Sequence, residues 1–379
     1  MKNYGRTSLD EFLGNRVVYR NLNPADPTLP RLAEAALKVG LPAGSIPRKT
    51  DADYARVIVH LLGRAQEMRR VSSPLRRVLF VGDTRLLDGT AFDNICLAGN
   101  LPGLAFIGSE NVKPAAVEIV PDDAGQTLYL SNRWAGLADF DQYAASSGFP
   151  CDESTAVIVD IDKTALGARG RNGHVIDRAR VQAVHNTVAA LLGAAFNEAL
   201  FSGAYELLNQ PEFHPFTGDN QDYLAYVCLI LGSGLYQLNQ VVADIRGKRL
   251  ASFEQFIAEV DARSGQLPAE LAAIHADIYA NVRAGDPTPF KSFRRNEYLV
   301  TIGCFGNLPD DASMDSLLAE EILVTQEVRE MAKAWQSRGA LLFGLSDKPD
   351  EASTPTPELA AKGFLPIHQM PTHAVGKDK

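Results

Sequence analysis

The sequence predicts an α/β protein whose parallel sheet is encoded in two pieces. Three observations predict it. Short apolar runs end at acidic or hydroxylic residues, as in "RRVLFVGDTRLLDG" (Arg76 to Gly89) and "STAVIVDIDKTALGARG" (Ser154 to Gly170). Helical patterns separate these runs. A long stretch, roughly 175–335, then carries only helical spacing before the α/β pattern returns in "RGALLFGLSDKPDEA".

Each element follows from its own pattern. Residues 1–75 read as irregular structure and helices, with "LPRLAEAALKVGL" and "DADYARVIVHLLGRAQEM" at helical apolar spacing. "VLFVG" reads as a buried strand ending at Gly82-Asp83. "FDNICLAGN" reads as a helix stopped at Gly99-Asn100, and "GLAFIGS" as a second strand. Around "AVEIV" and "TLYLS" a small antiparallel excursion is expected. "AVIVD" gives the strand into Asp160. In the helical stretch, Tyr226, Tyr236, Phe253 and Phe256 lie at core spacings. "ILVTQEVREMAKAWQSRG" is an amphipathic helix, "ALLFGL" a strand into Ser346, and the last residues hold one short helix and a strand.

Composition sets the bounds. The chain has 379 residues, 46% hydrophobic and 22% charged, enough to bury a sizeable core. Its net charge of −9 disfavours a nucleic-acid partner. The cluster Arg69, Arg70, Arg76 and Arg77 reads as a solvated helix end. Four cysteines without metal spacing point to a reducing compartment. "MKNYGRTSLDEF" lacks an apolar signal core, and "YVCLILG" is too short to span a bilayer. The expectation is a cytoplasmic protein with no membrane association; oligomeric state is left open.

Ligands of parallel sheets bind beyond the carboxyl ends of the strands. Three clusters fall at such ends: Asp160, Asp162 and Thr164; Asp83 and Asp88; Ser346 and Asp347. Carboxylates gathered at one edge repel each other unless a cation joins them, and an oxygen-rich site suits Mg²⁺. A carboxylate can also attack phosphorus, and a second one two residues on can exchange protons with leaving group and water.

These residues resemble the haloacid dehalogenase (HAD) superfamily. "VIVDIDKT" is similar to its nucleophile motif, "RGALLFGLSDKP" to its hydroxyl motif, and "VLFVGDTRLLD" to its acidic motif, while "IPRKTDADYARVIVHLL" offers Lys49 as the motif lysine. The resemblance implies a three-layer, Rossmann-like core with a large helical cap: core at 1–170, cap at 171–325, core again at 326–379. It implies a Mg²⁺-dependent phosphohydrolase, forming an aspartyl-phosphate on a small phosphorylated substrate. Asp160 would be the nucleophile, Asp162 the general acid/base, and Ser346 and Lys49 the holders of phosphate oxygens. Asp160, Asp83 and the backbone carbonyl of Asp162 would hold the metal, with Asp88 supporting it or a bound water. Arg169, Arg171 and His174 read as a solvated hinge, with a phosphate grip as the alternative.

Motif order departs from the family, because the lysine and acidic motifs precede the nucleophile. Only 33 residues follow Ser346, so a circular permutation is expected. The rival keeps normal order, with Thr301 of "EYLVTIG" as the hydroxyl and Asp347 as the acidic residue; it leaves "VLFVGDTRLLD" without a role. Two other functions stay open: a non-catalytic binding or regulatory protein on the same scaffold, and a phosphomutase.

Overall fold

A computed structural model describes residues 1–42, 44–121 and 125–377. The chain divides into two units: Met1–Arg178 with Thr301–Lys379, and Ala179–Val300.

The first unit is built on strands β1 (Lys2–Thr7), β2 (Val17–Val18), β3 (Arg77–Gly82), β4 (Gly103–Gly108), β5 (Val117–Pro121), β6 (Thr127–Ser131), β7 (Thr155–Asp160), β8 (Val324–Thr325), β9 (Leu341–Leu345) and β10 (Thr372–Gly376). Seven of them form one sheet in the order β2-β9-β7-β3-β4-β6-β5. All neighbours run parallel except β5, which is antiparallel to β6. The expected antiparallel excursion is therefore the edge of the main sheet. Hairpin pairing of β5 and β6 continues the hydrogen-bond ladder that β6 makes with β4.

Every residue of β7 and β9 is buried. That is why their sequences are continuous apolar runs, since helices cover both faces. Alternate side chains divide between the two sides. Val78, Phe80, Ala156, Ile158, Leu341 and Phe343 join a core with Tyr54, Ile58 and Leu61 of the helix Ala52–Met68 and with Phe92 and Ile95 of the helix Thr90–Gly99. On the other side, Phe106 packs 6.2 Å from Trp134 and 5.8 Å from Phe140 between ring centroids. The helix Gln326–Ser337 buries Trp335 there, whose indole N–H donates to Asp141 at 2.7 Å.

A second, three-stranded sheet has the order β1-β10-β8. With β2, it corrects the reading of the first 75 residues as irregular and helical. β1 alternates no apolar residues, because it pairs antiparallel with β10 and buries no face fully. β2 is two residues long, too short for a period to register.

The second unit is helical. Tyr226, Phe253 and Phe256 lie in its core as their spacing predicted, and Phe253 stacks on Tyr223 at 3.7 Å. "YVCLILG" falls within the buried helix Gln221–Gly232. Among the described residues no helix is long and apolar enough to cross a membrane. None of the four cysteines is in a disulfide.

The strand that the normal-order alternative needs at Thr301 is absent. Thr301 lies in the helix Lys291–Ile302, not at a strand end. Burial of Phe293, Glu297, Tyr298 and Thr301 follows helical spacing, so "EYLVTIG" never had the period of a strand.

Candidate active site

β7 lies between β3 and β9, in parallel register with both: Val159 faces Val81 on one side, and Asp160 faces Leu345 on the other. The residues just past these strands therefore leave the sheet at one edge. Asp160, Asp83 and Ser346 all lie at that edge, although Asp83 precedes β7 by more than seventy residues.

Asp160 is the centre. It is 4% exposed, and its Oδ1 accepts from Lys49 Nζ at 2.5 Å. Its Oδ2 is buried without a hydrogen-bond partner. Lys49 reaches the site from the loop before the helix Ala52–Met68 and also donates to Asp88 Oδ1 at 2.7 Å. Burial pushes the Asp160 carboxyl well above the usual carboxylate range; Lys49 opposes this, and the charges of Asp88 and Asp83 add to it. Burial also works against the Lys49 ammonium, yet Asp160 and Asp88 together hold it well above its ordinary value.

The acidic loop is braced by Asp88. Its Oδ2 accepts the backbone N–H of Asp83 at 2.9 Å, that of Thr84 at 2.8 Å and the Thr84 hydroxyl at 3.0 Å. Both oxygens are thus engaged by the protein. Gly82 makes this possible, since a Cβ there would fall 2.6 Å from Asp88 Cβ and 2.7 Å from its Cγ. Burial disfavours the Asp88 charge, but Lys49 outweighs it and holds the carboxyl at about 2. For Asp83, burial and then the Asp88 charge push the carboxyl up to about 7, against the pull of Arg169.

Oxygens of Asp83, Asp88 and Asp160 lie within 4.8 Å of one another. Asp162 stands apart from this cluster. Its Oδ2 accepts from Ser346 Oγ at 2.5 Å, and Ser346 Oγ in turn accepts from the Lys348 backbone N–H at 3.0 Å. Of the residues the sequence nominated, Lys49, Asp83, Asp88 and Asp160 therefore converge directly, and Asp162 and Ser346 form an adjoining pair.

Two residues correct the reading of the loop after β7 as a solvated hinge. Arg171 is buried and bridges Glu110 at 2.8 Å and Glu327 at 2.9 Å. Arg169 forms an ion pair with Asp83. Tyr54 was read only as part of a helical face. Its hydroxyl is buried without a hydrogen-bond partner, within electrostatic reach of Lys49 and then of Asp347, Asp160 and Asp88. Its position five residues after Lys49, at the start of the same helix, was the available signal.

The donor set fits a hard divalent cation. All three clustered ligands are carboxylates, and the one buried oxygen among them that no protein donor satisfies belongs to Asp160. No protein-family model, curated protein or solved structure matches the chain.

Proposed function

We propose that the protein is a Mg²⁺-dependent phosphohydrolase of the haloacid dehalogenase type, with permuted motif order, acting on a small phosphorylated substrate. One observation carries the reading: a buried carboxylate ends the central strand with one oxygen on a buried lysine and the other free. The flanking strands lead into Asp83 and Ser346.

In this reading Asp160 attacks phosphorus, and the ester P–O bond breaks as the new Asp160 O–P bond forms. Asp162 gives a proton to the departing oxygen. It then takes one from the water that hydrolyses the aspartyl-phosphate. Lys49 sits on the attacking carboxylate and offsets charge gathering on the phosphoryl oxygens. Ser346 keeps Asp162 oriented and lies where a phosphate oxygen needs a donor. Mg²⁺ would be held by Asp160, Asp83 and the backbone carbonyl of Asp162, and would supply charge neutralisation to the phosphoryl group. Asp88 acts indirectly, because its oxygens already hold Lys49 and the Asp83–Thr84 backbone. The helical unit Ala179–Val300 occupies, in chain order, the place of a cap.

A second reading, a non-catalytic binding protein on the same scaffold, draws on the ion pairs that already match Asp160 with Lys49 and Asp83 with Arg169. Turnover of a generic aryl phosphate decides between them. Hydrolysis that needs Mg²⁺ and stops with EDTA is expected. Its absence across a panel of phosphorylated metabolites would favour the binding protein.

A further inference from the structure

The loop leaving β7 is fixed in place by its backbone. The Arg169 carbonyl accepts two bonds, from the Glu110 N–H at 3.0 Å and the Trp134 indole N–H at 3.1 Å. The Arg169 N–H donates to the Lys163 carbonyl at 2.7 Å. Gly170 follows at φ +77°, where a Cβ would collide with the Glu110 carbonyl. The next residue, Arg171, is locked between Glu110 and Glu327.

The Arg169 side chain is held quite differently. It is 41% exposed, and its Nε on Asp83 is its one hydrogen bond among the described residues. The two terminal nitrogens therefore have no acceptor among the described residues. A rigidly anchored backbone presents a guanidinium whose Nε lies on Asp83, a carboxylate of the clustered set, with its terminal edge uncommitted. Neutralising Asp83 alone would not require that edge to be left free. A guanidinium edge matches the two oxygens of a carboxylate or phosphate.

We propose that Arg169 receives a second anionic group of the substrate, so that the preferred substrate is a phosphate monoester carrying a nearby carboxylate or further phosphate. This inference rests on the phosphohydrolase reading above. Lys49 and the cation would serve the reacting phosphoryl group, and Arg169 the second anion. Of the other two cations of the loop, Lys163 is turned to Asp177 at 2.8 Å and the Arg171 side chain is buried between Glu110 and Glu327. Arg169 is thus the one of the three paired with a carboxylate of the acidic cluster.

The test compares two esters that differ in the second anion, phosphoglycolate and ethyl phosphate, with Mg²⁺ present. Wild type is expected to favour phosphoglycolate in kcat/KM by about tenfold or more, the scale of one charge-assisted contact. In Arg169→Met that preference should shrink to within about threefold, and Arg169→Lys should restore part of it. A merely structural role would lower both esters together and leave the ratio intact. Hydrolysis of both esters at equal efficiency by wild type, or an unchanged ratio in Arg169→Met, overturns the inference and leaves the phosphohydrolase reading standing. Binding of the non-hydrolysable pair phosphonoacetate and ethylphosphonate gives a readout apart from turnover. No hydrolysis of either ester, with equal binding of the two phosphonates, overturns both.

Discussion

Lys49 and Asp160, 111 residues apart in sequence, meet at 2.5 Å with both side chains buried. Asp88 completes the contact from the other side of the ammonium at 2.7 Å. Two carboxylates and one ammonium out of water are tolerable only together, because an unpaired ion in that setting carries a desolvation penalty of several kcal/mol. The three elements that deliver them are thereby tied to one another. Lys49→Met should strip the two carboxylates of their partner and lower unfolding free energy by about 3–5 kcal/mol. Urea denaturation would measure this. A loss below about 1 kcal/mol would show that the carboxylates find another partner or simply take up protons.

Asp160→Asn makes the opposite change. It removes charge from a site with more carboxylates than ammoniums and keeps the shape of the side chain. The fold should be retained, with stability equal to wild type or higher. Turnover of an aryl phosphate should fall by about 10³-fold or more, since an amide cannot attack phosphorus. Near wild-type turnover in this variant would remove Asp160 from the nucleophile's role.

Asp83 and Asp88 should separate cleanly. The Asp83 carboxylate is paired with the half-exposed Arg169 rather than with the buried lysine, whereas Asp88 is engaged at both oxygens. Asp83→Ala should weaken cation affinity by about tenfold or more, as expected when one of the few protein carboxylates on Mg²⁺ is lost. Asp88→Ala should act mainly on stability, by freeing the Asp83–Thr84 backbone. Gly82→Ala should resemble it at a cost of about 1–3 kcal/mol, because its Cβ falls on Asp88. Mn²⁺ titration followed by electron paramagnetic resonance separates the effects. Equal losses of affinity in Asp83→Ala and Asp88→Ala would refute the division of labour.

How much of this was legible in the chain follows from what each residue answers to. β3, β7 and β9 are buried on both faces, so burial wrote itself into "VLFVG", "TAVIVD" and "LLFGL". The four charged residues that converge, Lys49, Asp83, Asp88 and Asp160, sit at strand ends or just before helices, where motif spacing carries information. β1 and β2 were not legible, because partners far along the chain specify them: β1 pairs with β10, and β2 pairs with β9. Arg169 was not legible either. Its Nε meets Asp83 on a backbone that Trp134 and Glu110 pin at the carbonyl and whose approach Gly170 permits. Arg171 lies two residues away with the same side chain and takes up a buried structural bridge instead. Local composition contains nothing that distinguishes the two.

Away from the site, His368 should give the fold a dependence on pH. The ring is fully buried, with Nδ1 2.8 Å from the Tyr19 hydroxyl and Nε2 3.2 Å from Asn15 Oδ1. Those partners suit a neutral ring: the phenol donates to Nδ1 and Nε2–H donates to the amide oxygen. Burial pulls the imidazole down from its ordinary 6.5 to about 4, against the weaker pull of Asp10. Between those two values the unfolded chain binds more protons than the folded one, so stability rises with pH across the window and is lost as pH falls through it. The full contribution is on the order of 3 kcal/mol, and about 2 kcal/mol of it should be gone by pH 5. Urea unfolding at pH 7.5 and pH 5 would measure the loss, and His368→Gln, which cannot take up the proton, should lose less by about that amount. Equal acid sensitivity in wild type and variant would mean that the ring is already charged in the folded protein, or that the acid response arises at other groups.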